Sequence, residues 1–188
     1  PVRANRVLAL ASKMFSMSVD DYEIRSENPV SGIKRNDEEA RKRYLSTSEL
    51  QRLTSALDSH SSQTAANAIR MMLLTGARKG EVLSMSWQQI DLERGNWVKP
   101  SAHTKNKKEH SVPLSVPAID LLKEIRACQN EHTNYVFPSN RTKGNISDIS
   151  NSWMSIRKRA NLNDVTLHDL RHTYASILAN DGVPLGVI

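Results

Sequence analysis

The stretch that most constrains the fold is SQTAANAIRMMLLTGARKGEVLSM, residues 62–85. Its first half is the pattern of a long apolar helix. Gly76 ends this helix, because glycine readily adopts the left-handed conformation that closes a helix end. A tight turn follows, and a second helix opens at Arg78. The sequence therefore predicts two helices joined by a short turn, with an arginine at the start of the second.

One other part of the chain departs from helical periodicity. The segment NWVKPSAHTKNKKEHSVPLS, residues 96–115, has two short strand-like pieces around a basic, polar centre, which predicts a hairpin or small sheet with a basic tip. Further helices are predicted over residues 117–130, 147–160 and 166–180, before the stop signals Gly182 and Pro184. The predicted fold class is mainly α with a small antiparallel β-sheet, an α+β arrangement.

The N-terminal part predicts a domain boundary. Residues 1–28 contain an amphipathic helix, ANRVLALASKMFSMSVDDYEI, that needs a surface to pack on. Residues 29–43 have Pro, Gly and mixed charges without an apolar period, as expected of a linker. The main domain is predicted over residues 44–188, beginning with a helix that Ser46 and Glu49 cap reciprocally. Residues 1–28 are then the last helix of an upstream domain.

Composition favours a nucleic-acid partner. The 188-residue chain carries a formal charge of +6 and has a pI of about 9.6, which suits a polyanion. Aromatic residues make up 5%, fewer than base-stacking proteins use, so duplex DNA is favoured over single strands. The single cysteine, Cys128, fits a reducing compartment and is interpreted as a small buried residue. No apolar run reaches membrane-spanning length and no signal peptide is present, which predicts a soluble, cytoplasmic protein without membrane contact.

A pair of histidines raises the question of a metal. In LHDLRHTYAS, His168 and His172 are four residues apart and share a helix face. Zinc peptidases use H-E-x-x-H, but the second position here is Asp169, whose shorter side chain reaches a metal-bound water less easily, and no third ligand is evident. No metal and no other cofactor is therefore predicted, with the zinc site kept as the alternative. His168 and Arg171 form a second pair on one face, combining an imidazole with a forked cation suited to phosphate.

Other residues could complete a phosphate site. Arg78 lies at a helix start, where its guanidinium and nearby backbone N–H groups could bind an anion. The alternative is that Arg78 is a surface arginine without a ligand. Glu81 could orient Arg78 or simply suit the helix dipole. Lys105, close to Lys107 and Lys108, could act as a general acid, or all three could be solvated. Together with His168 and Arg171, these groups could neutralise and protonate a phosphodiester without a metal.

Three segments, in order, resemble motifs of the tyrosine recombinase or phage-type integrase family: LLTGARKGEVLSMSWQQIDLERGNW, HTKNKKEHSVPLS and LHDLRHTYASILANDGVPL. Upstream, NRVLALASKMF and NPVSGIK resemble the end of the family's core-binding domain and its linker. The resemblance implies the family's catalytic-domain fold. It also implies that Arg78 and Arg171 hold the scissile phosphate, beside His168 as acid/base. By the same resemblance, Lys105 protonates the leaving 5′ oxygen and Glu81 supports Arg78.

The resemblance stops short of the family's nucleophile. Family members continue with an LGH-type motif and a helix carrying the nucleophilic tyrosine, whereas this sequence ends in VPLGVI. Tyr174 stands where the family has a core aromatic, so it is assigned to packing. The expectation is a catalytic domain without its C-terminal part, with no nucleophile in this chain, and with His172 outside the catalytic set.

The resemblance implies site-specific recombination of duplex DNA through a 3′-phosphotyrosyl intermediate, on a synaptic tetramer associated with the bacterial nucleoid. Lys107 and Lys108 are expected to contact DNA. Two alternatives stay open at this point. One is a DNA-binding module that never cleaves, and the other is an enzyme resembling the type IB topoisomerases.

Overall fold

The computed structural model describes residues 1–39, 43–99, 110–129 and 133–183, apart from the side chain of His110. The chain divides into two units, Pro1–Lys42 and Arg43–Ile188. Lys105, Lys107 and Lys108 lie outside the described residues. None of the helices within the described ranges is both long and apolar enough to cross a membrane.

The first unit is one helix with an extended segment held against it by asparagines. Helix α1 spans Val2–Asp20, as the apolar stripe predicts. The Asn5 amide donates to the backbone oxygen of Asn36 at 2.8 Å and accepts from the backbone N–H of Asn36 at 2.8 Å. Asn28 donates to the backbone oxygen of Ser12 and to the hydroxyl of Ser16, each at 3.0 Å. These polar contacts therefore fasten the segment to the helix.

The second unit contains six helices within its described residues. They are α2 Thr47–Asp58, α3 Gln63–Thr75, α4 Lys79–Leu83, α5 Val116–Ala127, α6 Ser150–Arg159 and α7 Leu167–Asn180. Helix α3 is central, packing against α2, α4, α5 and α7. It can do so because its alanines and apolar residues leave it buried on several sides, including Ala65, Ala68, Ile69, Met71 and Met72. The helices predicted over residues 117–130, 147–160 and 166–180 are confirmed, with ends that differ by at most three residues.

Three short strands form the antiparallel sheet in the order β1, β2, β3. They span Ile90–Asp91, Asn96–Lys99 and His110–Pro113. Strands β2 and β3 are antiparallel neighbours, as the predicted hairpin or small sheet requires, and their register sets Trp97 opposite Val112. Strand β1 was not predicted, because a two-residue strand has no alternation to detect. The α+β fold class is confirmed.

The core of the second unit joins the helices to the sheet. Its largest fully buried side chains are Trp97, Phe137, Leu53, Leu57, Ile69, Met71, Met85, Leu122, Ile149, Ile156, Leu162 and Leu170. Leucines of the predicted α2 stripe belong to this core: Leu53 and Leu57 are fully buried and Leu50 packs against them. By contrast, the prediction that Cys128 is buried is wrong. The residue follows the last turn of α5 and is exposed, since the buried face of that helix is carried by Leu121, Leu122 and Ile125.

Helix α2 begins with the predicted reciprocal cap. The Ser46 hydroxyl accepts from the backbone N–H of Glu49 at 3.3 Å, and the Glu49 carboxylate accepts from the backbone N–H of Ser46 at 2.9 Å. Arg43 adds two hydrogen bonds to Glu49, at 2.6 and 3.0 Å, and two to Asp164, at 2.7 and 3.5 Å. The hydrogen bond from Arg43, together with that of Ser46, lowers the pKa of Glu49 to about 2.

We expect Glu49→Gln to destabilise the protein by about 1 kcal/mol at pH 7, because it weakens the cap and removes the charge that Arg43 pairs with. A carboxyl whose pKa is lowered by folding stabilises above its unfolded value, and that stabilisation is lost as pH falls toward the folded value. The difference between wild type and variant should therefore shrink below about pH 4.5, toward the folded pKa of about 2. Urea unfolding at pH 7 and pH 3 measures this. Glu93→Gln, at an exposed turn position, is the control, and a pH-independent difference would contradict the prediction.

Candidate functional site

The site is built on the turn between α3 and α4. Gly76 ends α3 with φ of 61°, and its N–H donates to the backbone oxygen of Met72 at 2.9 Å. The backbone N–H of Ala77 donates to the Thr75 hydroxyl at 3.3 Å. Two residues after Gly76, Arg78 is the N-cap of α4 in extended conformation. A left-handed glycine therefore lets the chain reverse within three residues and places Arg78 at the mouth of the turn.

Helix α7 packs directly on this glycine. A Cβ atom at position 76 would lie only 2.4 Å from the Cδ1 atom of Tyr174, so the ring occupies space that any side chain there would need. One turn earlier, the Arg171 guanidinium donates to the backbone oxygen of Gly76 at 2.5 Å. The carbonyl of Gly76 thus accepts a hydrogen bond from Arg171, and its Cα packs against the ring of Tyr174. The packing role predicted for Tyr174 agrees with this contact.

His168 and His172 lie in the first turns of α7, next to the cap that begins this helix. Thr166 is the N-cap, and the Asp169 carboxylate accepts from its backbone N–H at 2.7 Å and from its hydroxyl at 2.9 Å. Asp169 is 4% exposed, and these two hydrogen bonds direct its carboxylate to the helix start. The rings of His168 and His172 meet edge to face with centroids 4.7 Å apart.

The zinc alternative finds no further ligands nearby. Across the described ranges, no group of three or more His, Cys, Asp or Glu side chains is arranged to hold a metal ion. Asp169, at the position of the glutamate in a zinc peptidase helix, instead serves the cap of α7. The arrangement of His168, Asp169 and His172 is therefore that of a capped helix start with two rings in edge-to-face contact.

Arg78, His168 and Arg171 line one cleft. It has a volume of about 440 Å³ and lies between the α3–α4 turn and the first turns of α7, with Lys79, Gly80 and Thr166 among its other lining residues. The Arg78 side chain is 66% exposed, so its guanidinium is open to an incoming anion. Two guanidinium groups and an imidazole on one cleft form a site suited to a single phosphate group.

Glu81 orients Arg78 through two hydrogen bonds. Its Oε2 atom accepts from the backbone N–H of Arg78 at 3.2 Å, and its Oε1 atom accepts from the Arg78 guanidinium at 3.0 Å. Its place in the first turn of α4 and its hydrogen bonds to Arg78 are compatible with both roles considered for Glu81, a first-turn carboxylate and a support for Arg78. Lys99 donates to the same Oε2 atom at 2.7 Å. Burial raises the pKa of Glu81, but Lys99 and then Arg78 outweigh it and hold the pKa below its ordinary value.

Lys99 is a site residue that the sequence reasoning missed. It is 8% exposed and lies on β2, two residues after the buried Trp97. Alternate residues of a strand face the same side, so the spacing of Trp97 and Lys99 was a usable signal. A lysine on the buried face of a strand requires a carboxylate partner, because an unpaired charge is costly to bury.

Lys79 on the rim of the cleft also has a partner. It forms an ion pair with Asp148 at 3.1 Å. The Ser150 hydroxyl, followed by Lys79, lowers the pKa of Asp148 to about 2. The pair joins the start of α4 to the residues before α6. It keeps the Lys79 ammonium paired at the edge of the cleft.

The structure combines a small antiparallel sheet, a helical core and a cleft lined by two arginines and a histidine. The sequence profile of the phage integrase family matches residues 43–188. The chain belongs to the phage integrase family, which confirms the resemblance found in its motifs.

Relatives agree with this assignment. The chain is 33% identical over 134 residues to the integrase of Salmonella phage P22, covering 65% of this chain and 34% of that protein. It spans only about a third of the length of the curated relatives it matches first. The crystal structure of XerA recombinase superimposes with a TM-score of 0.64 at 27% identity, over 80% of this chain and 55% of that one. The Tn1549 transposon integrase, solved in complex with circular intermediate DNA, shares the fold with a TM-score of 0.74 at 16% identity, over 96% of this chain and 67% of that one.

We expect Gly76→Ala to destabilise the protein by about 2–4 kcal/mol, since it combines left-handed strain with a clash against Tyr174. Gly182→Ala is the matched control, because Gly182 has φ of 81° and a Cβ atom added there would meet no neighbouring atom within 4 Å. That control should lose only about 1–2 kcal/mol from strain. Urea unfolding measures both, and equal losses would show that the approach of Tyr174 contributes nothing.

Proposed function

We propose that this chain belongs to an enzyme that breaks and rejoins duplex DNA at specific sites through a 3′-phosphotyrosyl intermediate. The observation that carries the proposal is the placement of Arg78, His168 and Arg171 on one cleft in a chain of the phage integrase family. The names of its relatives support it, since they are an integrase of phage P22 and a recombinase.

The chemistry assigns one task to each group. Arg78 and Arg171 bind the non-bridging oxygens of the scissile phosphate and neutralise the charge that grows there as a tyrosine oxygen attacks. The new P–O bond to tyrosine forms as the bond to the 5′ oxygen breaks. His168 acts as acid/base beside the phosphate, and Lys105 donates the proton to the leaving 5′ oxygen. Attack by the 5′ hydroxyl of another strand reverses the step and reseals the DNA, so no metal or nucleotide is consumed.

The proposed partner is double-stranded DNA. A formal charge of +6 favours binding to phosphate backbones, and the Tn1549 transposon integrase with the same fold was solved in complex with DNA. Lys107 and Lys108 are proposed to contact the duplex. The proposal extends to a tetramer that holds two DNA sites together, and to a cytoplasmic location at the bacterial nucleoid.

The proposed domain organisation follows the sequence boundaries. Residues 1–28 are proposed as the last helix of a core-binding domain, residues 29–43 as the linker, and residues 44–188 as catalytic domain. The division of the chain at Lys42 and Arg43 supports a boundary in this region.

The proposal is tested by recombination of the DNA that flanks the gene. The protein of the complete gene is expressed in cells with a plasmid carrying that flanking DNA, and recombinant junctions are counted by quantitative PCR. Arg171→Ala should lower the junction count by about 100-fold or more, because a contact made to the developing charge is lost. Arg94→Ala is the control, at a side chain that is 86% exposed in the β1–β2 turn.

The two alternatives have distinct results in the same experiment. A DNA-binding module would bind the flanking DNA and produce no junctions. An enzyme resembling type IB topoisomerases would relax supercoiled plasmid without joining separate sites. Either outcome, with wild-type protein, would contradict the proposed recombination.

We expect Lys105→Ala to slow cleavage far more than it weakens DNA binding, because proton donation operates mainly in the transition state. A substrate with sulfur in place of the 5′ bridging oxygen has a leaving group that needs no proton, so it should restore cleavage by the variant. Single-turnover cleavage of both substrates measures this. If the sulfur substrate does not restore cleavage, Lys105 is only a phosphate contact and another residue is the general acid.

We further propose that none of the four tyrosines of this chain is the nucleophile. Tyr174 packs on Gly76, and Tyr135 pairs with Ser86 in an isolated β-bridge. The 188-residue chain should bind nicked duplex DNA and form no adduct that resists denaturation, because no nucleophile is held in line with the phosphate. Gel electrophoresis after denaturation measures the adduct. An adduct that disappears in Tyr174→Phe would show that this tyrosine is the nucleophile.

A further inference from the structure

The lysine on β2 is a buried charged group that the proposed chemistry does not use. Lys99 is 8% exposed, and its Nζ atom lies 2.7 Å from the Oε2 atom of Glu81. The same Nζ atom lies 4.6 Å from the centroid of the Trp97 ring. Lys99 thus reaches from the sheet to the first turn of α4. Its ammonium group lies over the face of the Trp97 ring and pairs with the carboxylate of Glu81.

The two oxygens of Glu81 have separate partners. Lys99 binds Oε2, which also accepts from the backbone N–H of Arg78, while Oε1 is left for the Arg78 guanidinium. Among the described residues, the charged groups that face Glu81 are Lys99 from β2 and Arg78 from the start of its own helix. Lys99 therefore selects the carboxylate orientation in which Oε1 points to Arg78.

Arg78 needs a fixed partner because its own side chain is exposed. The Arg78 side chain is 66% exposed whereas the Glu81 side chain is 11% exposed. A long exposed side chain samples many rotamers unless a fixed group holds it. Glu81 can be that group only if it stays ionised while buried, and burial opposes ionisation. A second cation that is itself buried and fixed meets this condition.

We propose that Lys99 is a positioning residue of the phosphate site: it keeps Glu81 ionised and oriented, and Glu81 in turn holds the Arg78 guanidinium at the cleft. The role in catalysis rests on the proposed function, whereas the effect on Glu81 does not. A lysine that served only to fill the fold could be replaced by an apolar residue of the same length without consequence for Arg78.

The first test uses the 188-residue chain and needs no DNA. The carboxyl carbon of Glu81 is titrated by NMR in wild type, Lys99→Met and Lys99→Arg. Methionine keeps the apolar stem over Trp97 and removes the charge, so the pKa of Glu81 should rise by at least about one unit. Arginine keeps the charge and should leave the pKa low. Lys123→Met, at an exposed position of α5, is the matched control, and Lys99→Gln is a second neutral variant in case the methionine variant does not fold.

The second test measures single-turnover cleavage by the protein of the complete gene on its flanking DNA. Lys99→Met should lower the cleavage rate at saturating DNA by about 10-fold to 100-fold, with a dissociation constant that changes less than about 3-fold, because misplacement of a catalytic group affects the transition state most. Lys99→Arg should recover most of the rate. The neutral variant should also lose activity more steeply than wild type as pH falls from 7 to 5, because protonated Glu81 releases Arg78.

The double variant separates positioning from independent effects. Once Glu81→Gln has removed the carboxylate, adding Lys99→Met should cost no further activity, because both residues act through Arg78. Equal Glu81 titration in wild type and Lys99→Met, or equal cleavage rates and pH profiles, would overturn the assignment of Lys99. A wild-type protein that cleaves no flanking DNA, while Glu81 titrates as expected, would overturn the proposed function and leave Lys99 as the residue that keeps Glu81 ionised.

Discussion

The site depends on the close approach of α7 to Gly76. The glycine carbonyl accepts from Arg171, and the Tyr174 ring lies where a side chain at position 76 would be. The same glycine, in left-handed conformation, turns the chain toward Arg78. One residue thereby sets the relation between two arginines that lie far apart in the sequence. Any change that pushes α7 away from this turn would separate the cations from one another.

A second set of contacts distributes charge around this turn. Two cations meet at Glu81, one buried on the sheet and one open to solvent. The buried pair ties β2 to α4, so the sheet, the turn and helix α7 share one frame. Because fixed dipoles and charges need no rearrangement during a reaction, such a frame suits a site that stabilises a phosphate whose charge changes. Arg78, which faces solvent, remains available to bind an anion, and the buried Lys99 holds Glu81.

Local signals along the chain predicted much of this arrangement. Ser46 and Glu49 form the predicted cap, Gly76 ends α3, and Thr166 begins α7, because caps and glycine turns depend on residues three or four positions apart. Cys128 was wrongly predicted to be buried, since the orientation of the end of α5 depends on what packs against the helix. Asp169 stands at the glutamate position of a zinc peptidase motif, but its carboxylate accepts a hydrogen bond from the backbone N–H of Thr166.

By itself the sequence determined the helices, the cap of α2, the glycine end of α3, the hairpin strands, the family, and which residues could bind phosphate. These properties follow from short spacings and from the order of motifs. Only the tertiary structure decided which cations share a cleft, that Arg171 binds the carbonyl of Gly76, and that Lys99 pairs with Glu81 on a separate element. The physical reason is that a buried ion pair or a ring over a glycine depends on how separate elements pack, and packing is decided by the whole core rather than by any local stretch.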